Sequence, residues 1–212
     1  MMAVPLDAIR AFHIAFRKDI KAIDTAAYSA ARGEAGLDLV VKRYTFFNEV
    51  LVWHANGEEE FVFTTLESVA PLVAEAYERD HRGLDTLFDS LHRAINVSDI
   101  LRIARATSAF NFFLSFHLNK EEAHLYRIFN ERVSMADQWT VLGKISQKVP
   151  QERFPEVVSW LYPLIRPEDR ENMTRIFQRV LPAPAFTGAT QLIKAAIGDN
   201  WAELTHRIPE LK

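Results

Sequence analysis

Apolar positions recur every three or four residues through about residue 133, the period of helices buried along one side. From Pro5 to about Arg32 the stripe is Ile9, Phe12, Phe16, Ile20, Ile23 and Ala27, and Arg32-Gly-Glu-Ala-Gly36 reads as its stop. A second helix is expected from about Leu37 to the mid-60s, with Phe47, Val50, Leu51, Phe61 and Val62 inward and Gly57 a weak point. Ser68-Val-Ala-Pro71 turns the chain, and Pro71 suits the first turn of a third helix reaching about Ile95. Its inward row is Val73, Tyr77, Leu84, Phe88, Leu91 and Ile95. Asn96-Val-Ser-Asp99 is the next break, with Ser98 as the expected N-cap. A fourth helix, about Asp99 to Val133, turns Ile103, Phe110, Phe113, Leu114, Leu125 and Ile128 inward. Four such helices with short connections predict an all-α fold, an up-down-up-down four-helix bundle.

Polar residues interrupt these stripes where the period calls for apolar ones. His13 stands in the first, His54 and Glu58 in the second, His81 in the third, His117 and Glu121 in the fourth. Residues four apart share a helix face, about 6 Å apart along the axis. A buried carboxylate without compensation costs several kcal/mol or takes up a proton, on the order of the penalties known for isolated charges. The turn positions bring these residues to one level. His13 and His54 each lie about 20 residues from the turn near Glu34, roughly 30 Å along their helices. Glu58 and His81 are each about a dozen residues from the turn near Val69. His81 and His117 agree about the turn near Val97 to within about one helical turn.

Beyond Val133 the pattern changes. Seven of the nine prolines and three of the four tryptophans lie there, so short helices between proline breaks are expected. These are about Met135–Val149, Phe154–Leu161, Glu168–Leu181, Ala189–Ile197 and Asn200–Arg207. The reading is a bundle over residues 1–133 and a helical extension over 134–212 packed on it. The 212 residues are 49% hydrophobic, enough for a sizeable core. A net charge of −3 without a basic run gives no reason to expect nucleic acid or an anionic membrane surface. The absence of cysteine excludes disulfides, thiolate metal sites and cysteine nucleophiles. No signal peptide and no membrane span are expected, and the cytoplasm is the expected compartment. Fifteen phenylalanines, most within the first 130 residues, predict a dry core.

Imidazoles and carboxylates facing inward from four helices suit iron or manganese, and bundles of this kind hold two ions. The pattern H…HxxxE…H…HxxxE, at His13, His54 with Glu58, His81, and His117 with Glu121, resembles the hemerythrin/HHE cation-binding family over about residues 5–131. The resemblance implies two non-haem, carboxylate-bridged iron ions, with manganese or zinc taken up on heterologous loading. It assigns His13 and His54 to one ion, His81 and His117 to the other, and Glu58 and Glu121 as bridges. Tyr77 stands where oxygen-carrying members have a further histidine. The pattern is closer to bacterial members with four histidines and two glutamates, which are associated with hydrogen peroxide, NO and damage to iron centres. The cysteine-bearing N-terminal segment of some iron-repair members is missing here. The implied ligand is a diatomic or peroxide. The alternative is an iron- or oxygen-sensing module that signals through residues 134–212, which would also carry a homodimer contact or a regulatory protein partner.

Each residue also has a plainer reading. A single histidine on an apolar face is more often a hydrogen-bonded core residue than a ligand; the weight lies in six coinciding. Glu59 and Glu122 compete with Glu58 and Glu121, and face geometry favours the four-residue spacing. Tyr77 is either a core aromatic with a satisfied hydroxyl or aimed at the third-helix ion. Asp85 and Asp80 are candidates to orient His81, and His124 and Glu122 to stand behind the ligands. His92 lies about 16 Å from His81, too far to share its ion. Residues 166–171, RPEDRE, read as a helix start with acidic residues at its positive end.

Overall fold

The computed structural model describes residues 3–212, and among them the regular structure is helical throughout. The helices are α1 Pro5–Ala31, α2 Asp38–Gly57, α3 Thr64–Val69, α4 Val73–Asn96, α5 Ile100–Lys120, α6 Tyr126–Arg132, α7 Met135–Ser146, α8 Phe154–Leu164, α9 Pro167–Val180, α10 Ala183–Ile197 and α11 Trp201–Arg207. A π turn, Glu58–Phe63, joins α2 to α3, and a second, Glu121–Leu125, joins α5 to α6. Each π turn therefore starts at the glutamate of an HxxxE pair. One extra residue per turn is rare in helices and concentrates at functional sites.

The described residues form two compact units, Phe16–Asp137 and a second made of those up to Ala15 with Gln138–Lys212. The sequence reading divided the chain at 133/134 and kept the N-terminus with the bundle. The compact units divide it at 137/138 and group residues up to Ala15 with the C-terminal part. Ala8, Ala11 and Ala15 share a core with Val158, Leu161, Tyr162, Ile193 and Ile197, and the Phe12 ring lies 6.2 Å from Trp160. The apolar stripe read along α1 therefore serves two cores in succession.

In the unit Phe16–Asp137 the helices are antiparallel to their neighbours, because partner positions run in opposite directions along the chain. Between α2–α3 and α4 the Tyr44 and Phe88 rings stack at 5.3 Å, and Phe63 meets Tyr77 at 6.3 Å. Between α4 and α5, Phe88 meets Phe110, and His81 meets His117. Between α5 and α1, Asn111 donates to Asp24 at 3.1 Å, while Arg17 reaches Glu122 further along α5's direction at 2.8 Å. Arg43 of α2 closes the ring onto Asp19 of α1. Phe16, Ile20, Ile23, Phe47, Leu66, Tyr77, Leu91, Ile103, Phe110 and Leu114 fill the interior.

The helix ends follow local chemistry, with corrections. After α1, Gly33 takes φ +75°, its N–H donates to Ala30 O, and Glu34 N–H donates to Ser29 O. That is the paired closure which favours glycine beyond a C-cap. Pro71 does not open the third helix. It lies in the turn, Leu72 takes a left-handed φ of 69°, and α4 starts at Val73. The N-cap of α5 is Asp99, whose carboxylate accepts from Arg102 N at 3.0 Å; Ser98 has φ 52°, a turn conformation unsuited to that role. Phe113 is half exposed rather than inward.

In the other unit, α8 continues three residues past the expected end, through Pro163. Helix α10 begins at Ala183, six residues before the expected Ala189, because Pro184 falls in its first turn, where a missing N–H costs nothing. Arg166 and Asp169 form the expected start of α9, with Asp169 accepting from the Arg166 guanidinium at 2.7 Å. Among the described residues no helix is long and apolar enough to cross a membrane.

Candidate metal centre

All six donors in the sequence pattern are buried, with exposures of 0% for His13 and Glu121, 1% for Glu58 and no more than 8% for the others. They fall into two groups, His13 with His54 and Glu58, and His81 with His117 and Glu121. Within each group the ligand atoms lie within 4.8 Å of one another. The histidines group as the resemblance assigned them, while each glutamate, assigned there as a bridge, falls in one group. Both HxxxE pairs aim imidazole and carboxylate inward, with His54 Nε2 3.3 Å from Glu58 Oε1 and His117 Nε2 3.2 Å from Glu121 Oε1. Nε2 of His81 lies 3.8 Å from a carboxylate oxygen of each glutamate and 3.1 Å from Nε2 of His117.

The donor chemistry fits a metal. Imidazole nitrogens 3.1 Å apart and carboxylate oxygens beside them share one focus inside an apolar core. Without a cation the cluster must hold protons. Burial disfavours charge on His81, but Glu121, Glu59 and Glu58 outweigh it and push its pKa up to about 10. Burial and Glu58 both work to raise the Glu121 carboxyl, yet His117 and His81 hold it below the usual range. A bound metal cation would replace those protons and suit the mixed nitrogen and oxygen set.

Around the donors stand groups that the sequence assigned differently or passed over. The carboxylate on Nδ1 of His81 belongs to Glu59, at 2.7 Å, so Glu59 backs a candidate ligand where Asp85 and Asp80 were the candidates. That hydrogen bond draws the Glu59 carboxyl below its usual range. Asp85 lines the adjoining cavity, where burial pushes its carboxyl up. Asp80 pairs with Lys120 at 2.7 Å and lies 3.6 Å from Nδ1 of His117. The Tyr77 hydroxyl meets Nδ1 of His124 at 2.8 Å and takes the plainer of its two readings; Lys120 Nζ sits 4.6 Å above its ring. Glu122 turns to Arg17. His92 stacks on Phe88, 6.5 Å between rings.

Tyr126 was not foreseen. Its ring is fully buried and its hydroxyl donates to Oε1 of Glu58. Burial, then the Glu58 charge, pushes the phenol well above its usual pKa, so it stays a neutral donor. Tyr126 follows directly on the second π turn as the first residue of α6, and π turns are invisible to a count by 3.6.

A cavity of about 70 Å³ adjoins the donors. Leu51, Val52, Leu84, Phe88, Phe110, Leu114 and Leu118 line it together with His54, Glu58, His81 and His117. It has room for a few atoms and none for an organic substrate of ordinary size.

Comparison with known families assigns the architecture. Residues 4–99 match the model of the hemerythrin HHE cation binding domain. Over these residues the chain resembles the hemerythrin HHE family. The matched span ends before His117 and Glu121, which the geometry of α5 brings to the other four. The chain is also similar to parts of two Arabidopsis thaliana proteins. Zinc finger protein BRUTUS is 25% identical over 178 residues, 81% of this chain, and Zinc finger protein BRUTUS-like At1g18910 is 25% identical over 183 residues, also 81%. The chain spans about 14% of the length of either relative. No solved structure matches. The matched family model and the two donor groups support a metal-binding, hemerythrin-like function.

Proposed function

We propose that the chain is a non-haem di-iron protein that binds or reacts with hydrogen peroxide, NO or O2, acting in oxidative or nitrosative stress in the cytoplasm. The observation that carries this reading is the cavity of about 70 Å³, apolar on most of its wall and ending on donors of both groups. It admits a diatomic or a peroxide and excludes larger substrates. His13 and His54 would hold one ion, His81 and His117 the other, with Glu58 and Glu121 reaching both. Iron held by these residues would supply binding and redox chemistry for small oxygen and nitrogen species.

The residues of the chain give that chemistry its surroundings. Phe16, 5.2 Å from the His54 ring, and Phe63, 5.3 Å from the His81 ring, keep the donors in apolar contact. Tyr126 holds one oxygen of Glu58 and leaves Oε2 directed towards His81. Glu59 holds His81 by its far nitrogen.

A second reading is supported by the comparison: the relatives are about seven times longer than their matched segment, so a similar domain serves within larger proteins. On that reading the centre senses iron or oxygen and residues 134–212 pass the signal to a partner or a second copy. Iron-loaded protein titrated with peroxide, azide and NO tests both. Two irons per chain and rapid loss of peroxide, abolished in Glu121→Ala, support the first reading. Oxidation-dependent partner binding without turnover supports the second. Less than about one metal per chain after careful loading overturns both.

A further inference from the structure

We propose that Glu59 is a positioning residue that fixes the His81 imidazole for its ion, and that the π turn Glu58–Phe63 is the device that brings it there. The inference rests on His81 being a ligand and assigns a role to a residue outside the HHE pattern.

His81 is gripped at three points. Nδ1 meets Oε1 of Glu59 at 2.7 Å, the ring lies 5.3 Å from Phe63, and Nε2 points at the donor focus. A hydrogen bond from Nδ1–H to a carboxylate keeps that proton in place, so Nε2 is the nitrogen that exchanges its proton for a metal. The carboxylate also makes Nε2 a stronger donor and stops rotation about the Cβ–Cγ bond, which would bring the wrong nitrogen forward.

The backbone explains how two successive glutamates serve one imidazole from opposite sides. On an α-helix neighbouring side chains diverge by about 100°. If Glu58 faced the interior there, Glu59 would turn away along the flank. The π turn begins at Glu58 and widens the helix by one residue. Glu58 then lies on the Nε2 side of His81, at 3.8 Å, and Glu59 on the Nδ1 side. Phe63, the last residue of the same turn, covers the ring. The Glu59 side chain is 46% exposed, so it is no part of the core and its truncation leaves the packing intact.

The test compares the parent chain with Glu59→Ala, Glu59→Gln and His81→Ala. Each is titrated anaerobically with iron(II) and separately with zinc(II), and the histidine rings of the zinc form are observed by nitrogen-15 NMR. The parent is expected to take two ions, with zinc on Nε2 of His81 and a slowly exchanging proton on Nδ1. Glu59→Ala should weaken one of the two ions about 10- to 100-fold and lose that slow proton. Glu59→Gln, whose amide oxygen still accepts, should keep the proton and lose less affinity. Unchanged affinity in Glu59→Ala, or weakened affinity with the His81 proton still slow, overturns the positioning role while the di-iron reading stands. Two ions retained in His81→Ala overturn His81 as a ligand and this inference with it. A parent that binds neither metal overturns the di-iron reading as well.

Discussion

Single side chains decide whether the centre exists. His54 and His117 each lie in a different donor group, so His54→Ala or His117→Ala should remove at least one iron per chain and lower the melting temperature, because metal binding is also folding energy. Iron content and melting temperature equal to the parent in both variants would contradict this. Tyr126→Phe removes a buried hydroxyl whose acceptor is a carboxylate, and should destabilise the metal-free chain by about 1.5–3 kcal/mol, the worth of a hydrogen bond to a charged group. Denaturant unfolding with unchanged slope measures it. The six donors were legible in the sequence because each breaks an apolar stripe at one level. Tyr126 was not, and Glu59 was legible only as a rival to Glu58 for the ligand position. A tyrosine in a stripe reads as core, and what each hydroxyl or carboxylate touches depends on a neighbouring helix. Tyr77 had two readings, a core aromatic with a satisfied hydroxyl and a group aimed at the ion, and the hydrogen bond to His124 on the facing π turn agrees with the first.

At the scale of the element, the helix ends carry their own tests. Leu72 is exposed and left-handed at φ 69°, a conformation that costs a non-glycine residue roughly 1–2 kcal/mol. Leu72→Gly should therefore stabilise the chain by up to about 1 kcal/mol once the added freedom of the unfolded glycine is set against it. Asp99→Ala should cost about 1 kcal/mol through the lost N-cap on α5. Thermal or denaturant midpoints check both. Helix existence and order were legible from periodicity, and most boundaries fell within a few residues. The misses have separate causes. Pro71 and Ser98 were plausible in a helix start, but a left-handed neighbour in one case and a stronger cap next door in the other displaced them. Pro163 and Pro184 looked like breakers, yet one sits in the last turn of its helix and the other in the first, where proline is tolerated.

For the whole molecule, the division of α1 between two cores was hidden, since one continuous apolar stripe carries no mark of where its partner changes. Residues 138–212 lack the Ala8, Ala11 and Ala15 face that belongs to their core. Expressed alone, they should unfold without a cooperative transition, and circular dichroism on heating would show it; a sharp transition would refute the dependence. The narrow hollow beside the donors has a further consequence. Nicotinamides, flavins and ascorbate are too bulky to touch anything at its inner end. On the proposed di-iron reading, electrons exchanged with the interior would cross the protein by tunnelling from the outer surface, and their rate would depend on how closely a donor docks there rather than on what fits inside.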